Sequence, residues 1–434
     1  MKKRKGVEEK NLLYNIIKPF VCFWVRRSYK KREVIGTENI PKDGSVIFAP
    51  NHCNTLMDAL VILNATKEAK AFCARADLFN NKILASFLHF LKIIPIVRKR
   101  DGIREVQKNN EIFETIVKVL ESKMPFCIFP EGTHRTKHSL LPIGKGIWRV
   151  AKLAYERLGS KQKIYIVPVG IEYSDYFHMR GRSLVSFGQA IEVNEFIESR
   201  SDKTESNVQI ELRQIIKDRI SNLITFVEDN DDYEKVVELA RIMTAEFRGT
   251  MKEEVDNNNH YIRRIENKMQ QGSKKVTKLL NKVEHFFNKR KNLNIVQESY
   301  RTDDHLPIII KRIALIILGA PYFIFSSLVS LPVIIISEFI VKKFKDRAFH
   351  NSARFLVLLF INSLWLLIWA IVLLIVCKWY IAIVLFALIA PSMIYYYDYA
   401  NYARILWSDI TWFRRKDIKA LLTEIEKDIV NCYI

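Results

Sequence analysis

Six cysteines are few for 434 residues, and Cys22, Cys53, Cys73, Cys127, Cys377 and Cys432 are scattered with no C-x-x-C pair among them. That spacing argues against a disulfide framework and against a zinc site, and fits an active domain facing a reducing cytosol. Acidic residues are short as well: 47 Asp and Glu against 68 Lys and Arg leave a formal net charge of +21. An excess of that size implies an anionic partner, whether nucleic acid, an acidic bilayer surface or a phosphorylated substrate. A secretory signal is missing too. Lys2, Lys3, Arg4 and Lys5 come first, but the apolar stretch behind them is interrupted by Lys18 and Pro19 and offers no small-residue cleavage site.

Several site motifs fail in the same way. His134 and His138 have the i, i+4 spacing of a zinc helix, but no Glu follows His134, and Arg135 and Lys137 between them would repel a cation. Gly144-Lys145-Gly146 has the outline of a phosphate loop, yet Ser139 stands where the first glycine is required and Gly146 where Ser or Thr is. No serine elbow is present. Cys53 beside His52 reads as a small filler, because adjacent residues rarely point the same way.

What is present divides the chain by composition. The chain holds one catalytic domain of ordinary size and leaves well over a hundred residues, by the usual domain length, for something else. In residues 1–33 the apolar Leu12, Leu13, Ile16, Ile17, Phe20, Val21, Phe23 and Trp24 recur at helical spacing, and Arg26, Arg27, Lys30, Lys31 and Arg32 follow. This is the pattern of an interfacial helix with a basic collar, and equally of a helix packed on its own core. In residues 34–198 short apolar runs, Ser45 to Pro50, Lys92 to Val97, Phe126 to Pro130 and Ile164 to Val169, alternate with amphipathic ones, which predicts an α/β domain with a largely parallel sheet. Residues 199–306 are charged and helical in period and read as a solvated connector.

Residues 307–400 are different. Ile313 to Ile336 is almost wholly apolar but contains Pro321 and Pro332; Phe355 to Val376 and Trp379 to Tyr397 are runs of about the length a bilayer core requires. Integral membrane helices are predicted, and lipid is favoured over nucleic acid as the anionic partner. Lys311 and Arg312 precede the first run, Lys342, Lys343, Lys345, Arg347 and Arg354 lie behind it, and Arg404, Arg414, Arg415, Lys416 and Lys419 follow the last. Positive segments stay cytoplasmic, so the proline-bearing run is expected to enter and return without crossing, and the next two to form a hairpin turning at Cys377 and Lys378. Catalytic domain and the 401–434 tail would then share the cytoplasmic side; three full crossings would separate them.

The chemistry is carried by two strand-to-helix turns. Asn51-His52-Cys53-Asn54-Thr55-Leu56-Met57-Asp58 follows the apolar run Val46 to Pro50, which delivers His52 to the carboxyl edge of a sheet. A carboxylate that fixes one ring nitrogen leaves the other to take a proton, the simplest general base. Six residues of ideal helix rotate by about 600°, so the two share no helical face. His52 must therefore lie in the turn before the helix, with Asp58 in its first turns pointing back. Phe129-Pro130-Glu131-Gly132-Thr133-His134-Arg135 again follows a strand and precedes a helical pattern, Ile147 to Leu158.

With these blocks in order, the chain from about Val34 to Val193 resembles the phospholipid and glycerol acyltransferases of the lysophosphatidate acyltransferase type. Val34-Ile35-Gly36 with Glu38-Asn39-Ile40-Pro41 is similar to the family's first strand and turn, Asn51 to Asp58 to its histidine-aspartate motif, Ile94 to Arg98 to the second block, Phe129 to Arg135 to the third, and Ile166 to Val169 to the fourth. Five residues separate His52 from Asp58 where the family usually has four, Lys92 stands at a usual glycine, and His134 separates Thr133 from Arg135. The resemblance implies that His52 deprotonates an acceptor hydroxyl as it attacks a thioester, and that Asp58 orients His52. It implies that Arg98 holds the acceptor phosphate, and that Glu131, Gly132 and Thr133 shape the acceptor pocket with His134 or Arg135 as a further phosphate ligand. The expected donor is acyl-CoA or acyl-carrier protein, the expected acceptor glycerol 3-phosphate or 1-acylglycerol 3-phosphate, and no cofactor or metal is called for. Two rivals are a related acyltransferase for an aminolipid precursor and a non-catalytic lipid-binding scaffold; retention of both His52 and Asp58 argues against the second.

Overall fold

The computed structural model describes residues 6–96, 109–245, 247–300 and 305–432. Two compact units appear: the first runs as far as Ile224 except for Arg27–Lys30 and Phe177–Gly181, which belong with Thr225–Ile434 in the second.

The first unit is built on one sheet. Its strands are β1 (Lys31–Ile35), β2 (Ser45–Pro50), β3 (Ala71–Arg75), β4 (Ile93–Ile96), β5 (Phe126–Cys127), β6 (Ile164–Tyr173), β7 (Arg182–Phe187) and β8 (Ile191–Glu192). They lie in the order β1-β7-β6-β2-β5-β3-β4, with β8 beside β6. All neighbouring pairs are parallel except β6 with β7 and β6 with β8. The sheet is thus mixed and largely parallel, as the alternation of runs predicts. β2 and β6 are buried at every residue, which is why they read as continuous apolar runs; a parallel sheet covered on both faces permits nothing else. Helices α1 (Leu12–Ser28), α2 (Leu56–Ala65), α3 (Lys82–Phe90), α4 (Asn109–Glu121), α5 (Gly146–Leu158), α6 (Val193–Glu198) and α7 (Glu205–Ser221) complete the unit. α7 buries Val208, Leu212, Ile216 and Ile220, so the unit continues beyond the compositional change at Ser199.

The rest of the charged region has a core of its own. Helices α8 (Tyr233–Met243), α9 (Met251–Gln270), α10 (Lys274–Asn292) and α11 (Gln297–Tyr300) bury Leu239, Ile265, Val283 and Phe286 together with Trp412, Ile418 and Ile425 from the end of the chain. Glu238, wholly buried, is held by Arg290 through two bonds of 2.7 and 2.6 Å and by the Tyr300 hydroxyl at 3.2 Å. Such a carboxylate is tolerated inside only with this pairing. A reading of solvated padding misses this core, because its other half lies beyond the membrane segment.

That segment comprises α12 (His305–Val329), α13 (Leu331–Lys342), α14 (His350–Leu356), a π-helical turn (Val357–Asn362), α15 (Ser363–Val376), α16 (Trp379–Ile389) and α17 (Ser392–Arg414), followed by α18 (Lys416–Cys432). Three stretches, Leu306–Val329, Arg347–Val376 and Trp379–Arg414, are long and apolar enough to cross a membrane by length and composition. α12 runs antiparallel to α17: the Tyr399 hydroxyl donates to the Ile316 carbonyl at 3.0 Å and that of Tyr395 to the Gly319 carbonyl at 3.1 Å. Pro321 sits inside α12 without ending it. The break falls at Ser330, and Pro332 occupies the first turn of α13, where its missing N–H costs nothing. Past the break the chain turns back. Val329 packs against the cluster of Leu373, Ala382 and Ile389, whereas Ser337 meets the Tyr397 hydroxyl at 3.3 Å and Glu338 pairs with Arg354 at 3.5 Å.

Candidate functional site

β2 ends at Pro50, and the turn behind it is fastened to β6 before it reaches His52. The Asn51 side chain donates to the Ile171 carbonyl at 3.0 Å and accepts from the Ile171 N–H at 2.7 Å, extending the β2–β6 ladder by one side chain. α2 starts at Leu56, so Asp58 lies in its first turn. From there its carboxylate reaches back, and Oδ2 accepts from the N–H groups of Cys53 at 2.8 Å and Asn54 at 2.7 Å. The same oxygen lies 2.8 Å from His52 Nδ1. An acidic side chain at this place also suits the positive end of the helix. The turn-and-helix arrangement demanded by the six-residue spacing is the one observed. Asp58 is fully buried, and the His52 side chain is 18 % exposed. With Nδ1 committed to Asp58, Nε2 is left on the far side of the ring.

The second turn closes over the first. Phe129 stacks on the His52 ring with centroids 4.2 Å apart, and His134 meets that ring edge-on at 5.7 Å. Glu131 bridges the two turns: Oε1 accepts the His52 N–H and Oε2 the Leu141 N–H, each at 2.7 Å. Burial pushes its carboxyl up to about 7, against the pull of those two N–H groups. Gly132 has φ +69°, and no atom lies within 4 Å of the place a Cβ would take; the glycine is required by the backbone, not by crowding. The Arg135 N–H donates to the His52 carbonyl at 3.0 Å, its guanidinium to Ser139 Oγ at 2.7 Å, and the Thr136 hydroxyl to the Cys53 carbonyl at 3.1 Å. Thr133 is half-buried in the same turn. Arg98 lies outside the described residues.

Three features were not foreseen. Tyr173, at the end of β6, donates to Asp58 Oδ1 at 2.9 Å. His138 pairs with Glu172 at 3.0 Å, tying the second turn to β6. Lys92 has φ +63°, the left-handed conformation that a glycine adopts freely, and its ammonium donates to the Val7 and Glu9 carbonyls at 2.6 and 3.0 Å. Cys53 is no nucleophile: burial, then the charges of Asp58, Glu172 and Glu131, push its thiol far up. Among the described residues no group of three or more His, Cys, Asp or Glu is placed to hold a metal ion.

The comparisons with known proteins concern this first unit. The family model described as Acyltransferase matches residues 31–172. Glycerol-3-phosphate O-acyltransferase 2 of Saccharomyces cerevisiae is 26 % identical over 155 residues, which are 35 % of this chain and 20 % of that protein. The chain thus matches about a fifth of that relative's length. The crystal structure of the 1-acyl-sn-glycerophosphate (LPA) acyltransferase PlsC from Thermotoga maritima superposes with a TM-score of 0.36 at 19 % identity, over 48 % of this chain and 78 % of that one. The stretch from residue 31 to residue 172 is thus an acyltransferase domain, similar to that of a glycerol-3-phosphate acyltransferase.

Proposed function

We propose that this protein transfers a fatty acyl group from acyl-CoA or acyl-carrier protein to a hydroxyl of glycerol 3-phosphate or 1-acylglycerol 3-phosphate. The observation that carries the reading is the 2.8 Å bond between His52 Nδ1 and the buried Asp58. Held in this tautomer, His52 takes the acceptor's hydroxyl proton at Nε2 as the oxygen attacks the thioester carbonyl. The tetrahedral intermediate collapses by breaking the carbon–sulfur bond, and the proton on Nε2 passes to the departing thiolate. Asp58 stabilises the imidazolium in between. Direct attack needs no enzyme nucleophile, which accords with the inert Cys53. Arg98 is assigned to the acceptor phosphate, since a guanidinium fork matches phosphate oxygens bidentately, and His134, whose ring meets that of His52 edge-on, is assigned the second contact.

The catalytic domain is assigned to the cytoplasmic face, together with the basic Lys342 to Arg347 loop and the C-terminal helix. The returning α13 supports this, because it brings that loop back to the level of Tyr397 and leaves only the Lys378 turn for the far side. α1 is assigned to the lipid surface: Leu12, Ile16 and Phe20 are exposed along one face, with Arg26 and Arg27 behind them. The test is a membrane assay of labelled acyl-CoA and acyl-carrier protein against a panel of acceptors, glycerol 3-phosphate, 1-acylglycerol 3-phosphate and an aminolipid precursor. Transfer to a glycerol phosphate, abolished by His52→Ala, is expected. Activity above a few per cent in His52→Ala at equal protein level would refute the mechanism, and transfer only to the aminolipid would refute the acceptor.

A further inference from the structure

Asp58 is wholly buried, and its two oxygens are unequally served. Oδ2 accepts from His52 Nδ1, the Cys53 N–H and the Asn54 N–H. Oδ1 has the Tyr173 hydroxyl at 2.9 Å and otherwise the Cys53 thiol at 3.7 Å, a weak donor. Tyr173 itself is 2 % exposed and closes β6. Its hydroxyl is placed by the sheet, since β6 is paired along β2 from Ile164 to Val169 and then by the Asn51 side chain at Ile171. A donor fixed by a rigid strand on one oxygen of a buried carboxylate withdraws charge from the other.

We infer that Tyr173 is a positioning residue for the His52–Asp58 pair, holding the second oxygen of Asp58 and thereby setting the pH at which the pair takes up a proton. The inference rests on the general-base reading of His52. Without the hydroxyl, Oδ1 is left with the thiol and the carboxylate becomes more basic. It then holds the proton on the imidazole more tightly, so His52 becomes cationic at a higher pH and less of it is competent as a base at a given pH. Other ionisable groups surround the pair: His52 and Cys53 on the same turn as Asp58, Cys127 on β5, Glu131, His134, Arg135 and His138 on the second turn, Glu172 on β6 and, one step further from Asp58, Tyr176 beside His138 and Tyr173. All of them remain in Tyr173→Phe, which removes one oxygen and no volume that the ring fills.

The experiment uses the full chain in membranes and follows kcat/KM for acyl-CoA and glycerol 3-phosphate against pH. In Tyr173→Phe the acid limb is expected to move up by about half a unit to one unit, with activity on that limb falling by about three- to tenfold and less above it, as for loss of one hydrogen bond to a charged group. The limb position does not depend on how much enzyme is folded. Tyr176→Phe, whose hydroxyl faces His138 at 3.4 Å and not Asp58, should leave the limb where it is. A second readout needs no turnover: carbethoxylation of His52, which only the neutral imidazole undergoes, followed against pH by peptide mass. Its midpoint should rise in Tyr173→Phe by the same amount. An unmoved midpoint and limb would overturn the inference; a risen midpoint in a protein inert toward every acceptor would uphold it and sink the proposed function instead.

Discussion

Replacing Asp58 by Asn separates the shape of the site from its charge. The amide has one acceptor oxygen and one donor group, and the three N–H donors on Oδ2 leave a single tolerable orientation, carbonyl toward His52 Nδ1, Cys53 N and Asn54 N. The NH2 then falls at the Oδ1 position beside the Tyr173 hydroxyl, which can accept as well as donate. Fold, turn and tautomer are thus retained, and what is lost is the negative charge that steadies the imidazolium of the transition state. The expected cost is roughly two to four decades in kcat, or about 3 to 5 kcal/mol of transition-state stabilisation. Initial rates of acyl transfer in membranes, at matched protein level and saturating donor, measure it. An Asp58→Asn enzyme within tenfold of the parent would show that the carboxylate is not the partner of the base.

Three further outcomes are expected. Arg98→Lys keeps the charge but loses the fork, so the KM for the glycerol phosphate should rise several-fold more than that for acyl-CoA; an unchanged acceptor KM in Arg98→Ala would remove Arg98 from the acceptor site. Glu131, raised in the fold from the usual carboxylate range to about 7, binds its proton more tightly folded than unfolded. Stability should therefore fall as pH rises from about 4.5 to about 7, by an amount on the order of 3 kcal/mol. Glu131→Gln should flatten that slope in thermal unfolding, and an identical slope in both proteins would contradict it. Single cysteines at Phe344 and Val430, with native cysteines replaced, should both resist an impermeant thiol reagent applied to intact cells, while one at Lys378 reacts; labelling of Val430 from outside would establish three full crossings.

Where the sequence was legible, the structural cause lay within a few residues. β2 and β6 announce themselves because burial on both faces forbids polar residues, and His52 with Asp58 because one turn and one helix start hold both. β3 and β7 escaped notice: Ala71–Arg75 and Arg182–Phe187 are short, and each carries an arginine at one end. Tyr173 and the His138–Glu172 pair depend on which residue of β6 stands beside which residue of β2, a register no local pattern reports. Pro321 misled for a related reason. α12 continues through it, and Tyr395 and Tyr399, far along the chain, donate to the Gly319 and Ile316 carbonyls in the turns just before the proline, as neighbouring helices do for backbone groups inside a bilayer. Lys92, at a usual family glycine, becomes intelligible only once its positive φ and its hold on the Val7 and Glu9 carbonyls are seen together.

The helical core shared by α8–α11 and the end of the chain also fixes an order of events. Its two halves are separated by the whole membrane segment: Lys282 on α10 pairs with Asp428 on α18 at 2.6 Å, Ser299 with Ser408, and Tyr300 packs on Trp412. A chain emerging from the ribosome can complete its acyltransferase sheet as soon as β7 and β8 are made, since among the described residues the strands end at Glu192. The helical core must wait until the apolar helices have been threaded into lipid and α18 has been synthesised. Until then α8–α10 present Val283, Phe286 and Leu239 to water, and a nascent chain stalled anywhere between Pro307 and Arg415 carries a finished sheet beside an open apolar face. In the topology proposed above, a chain whose tail emerged on the wrong side of the bilayer would leave that face uncovered, with the loss of stability that exposed apolar surface brings.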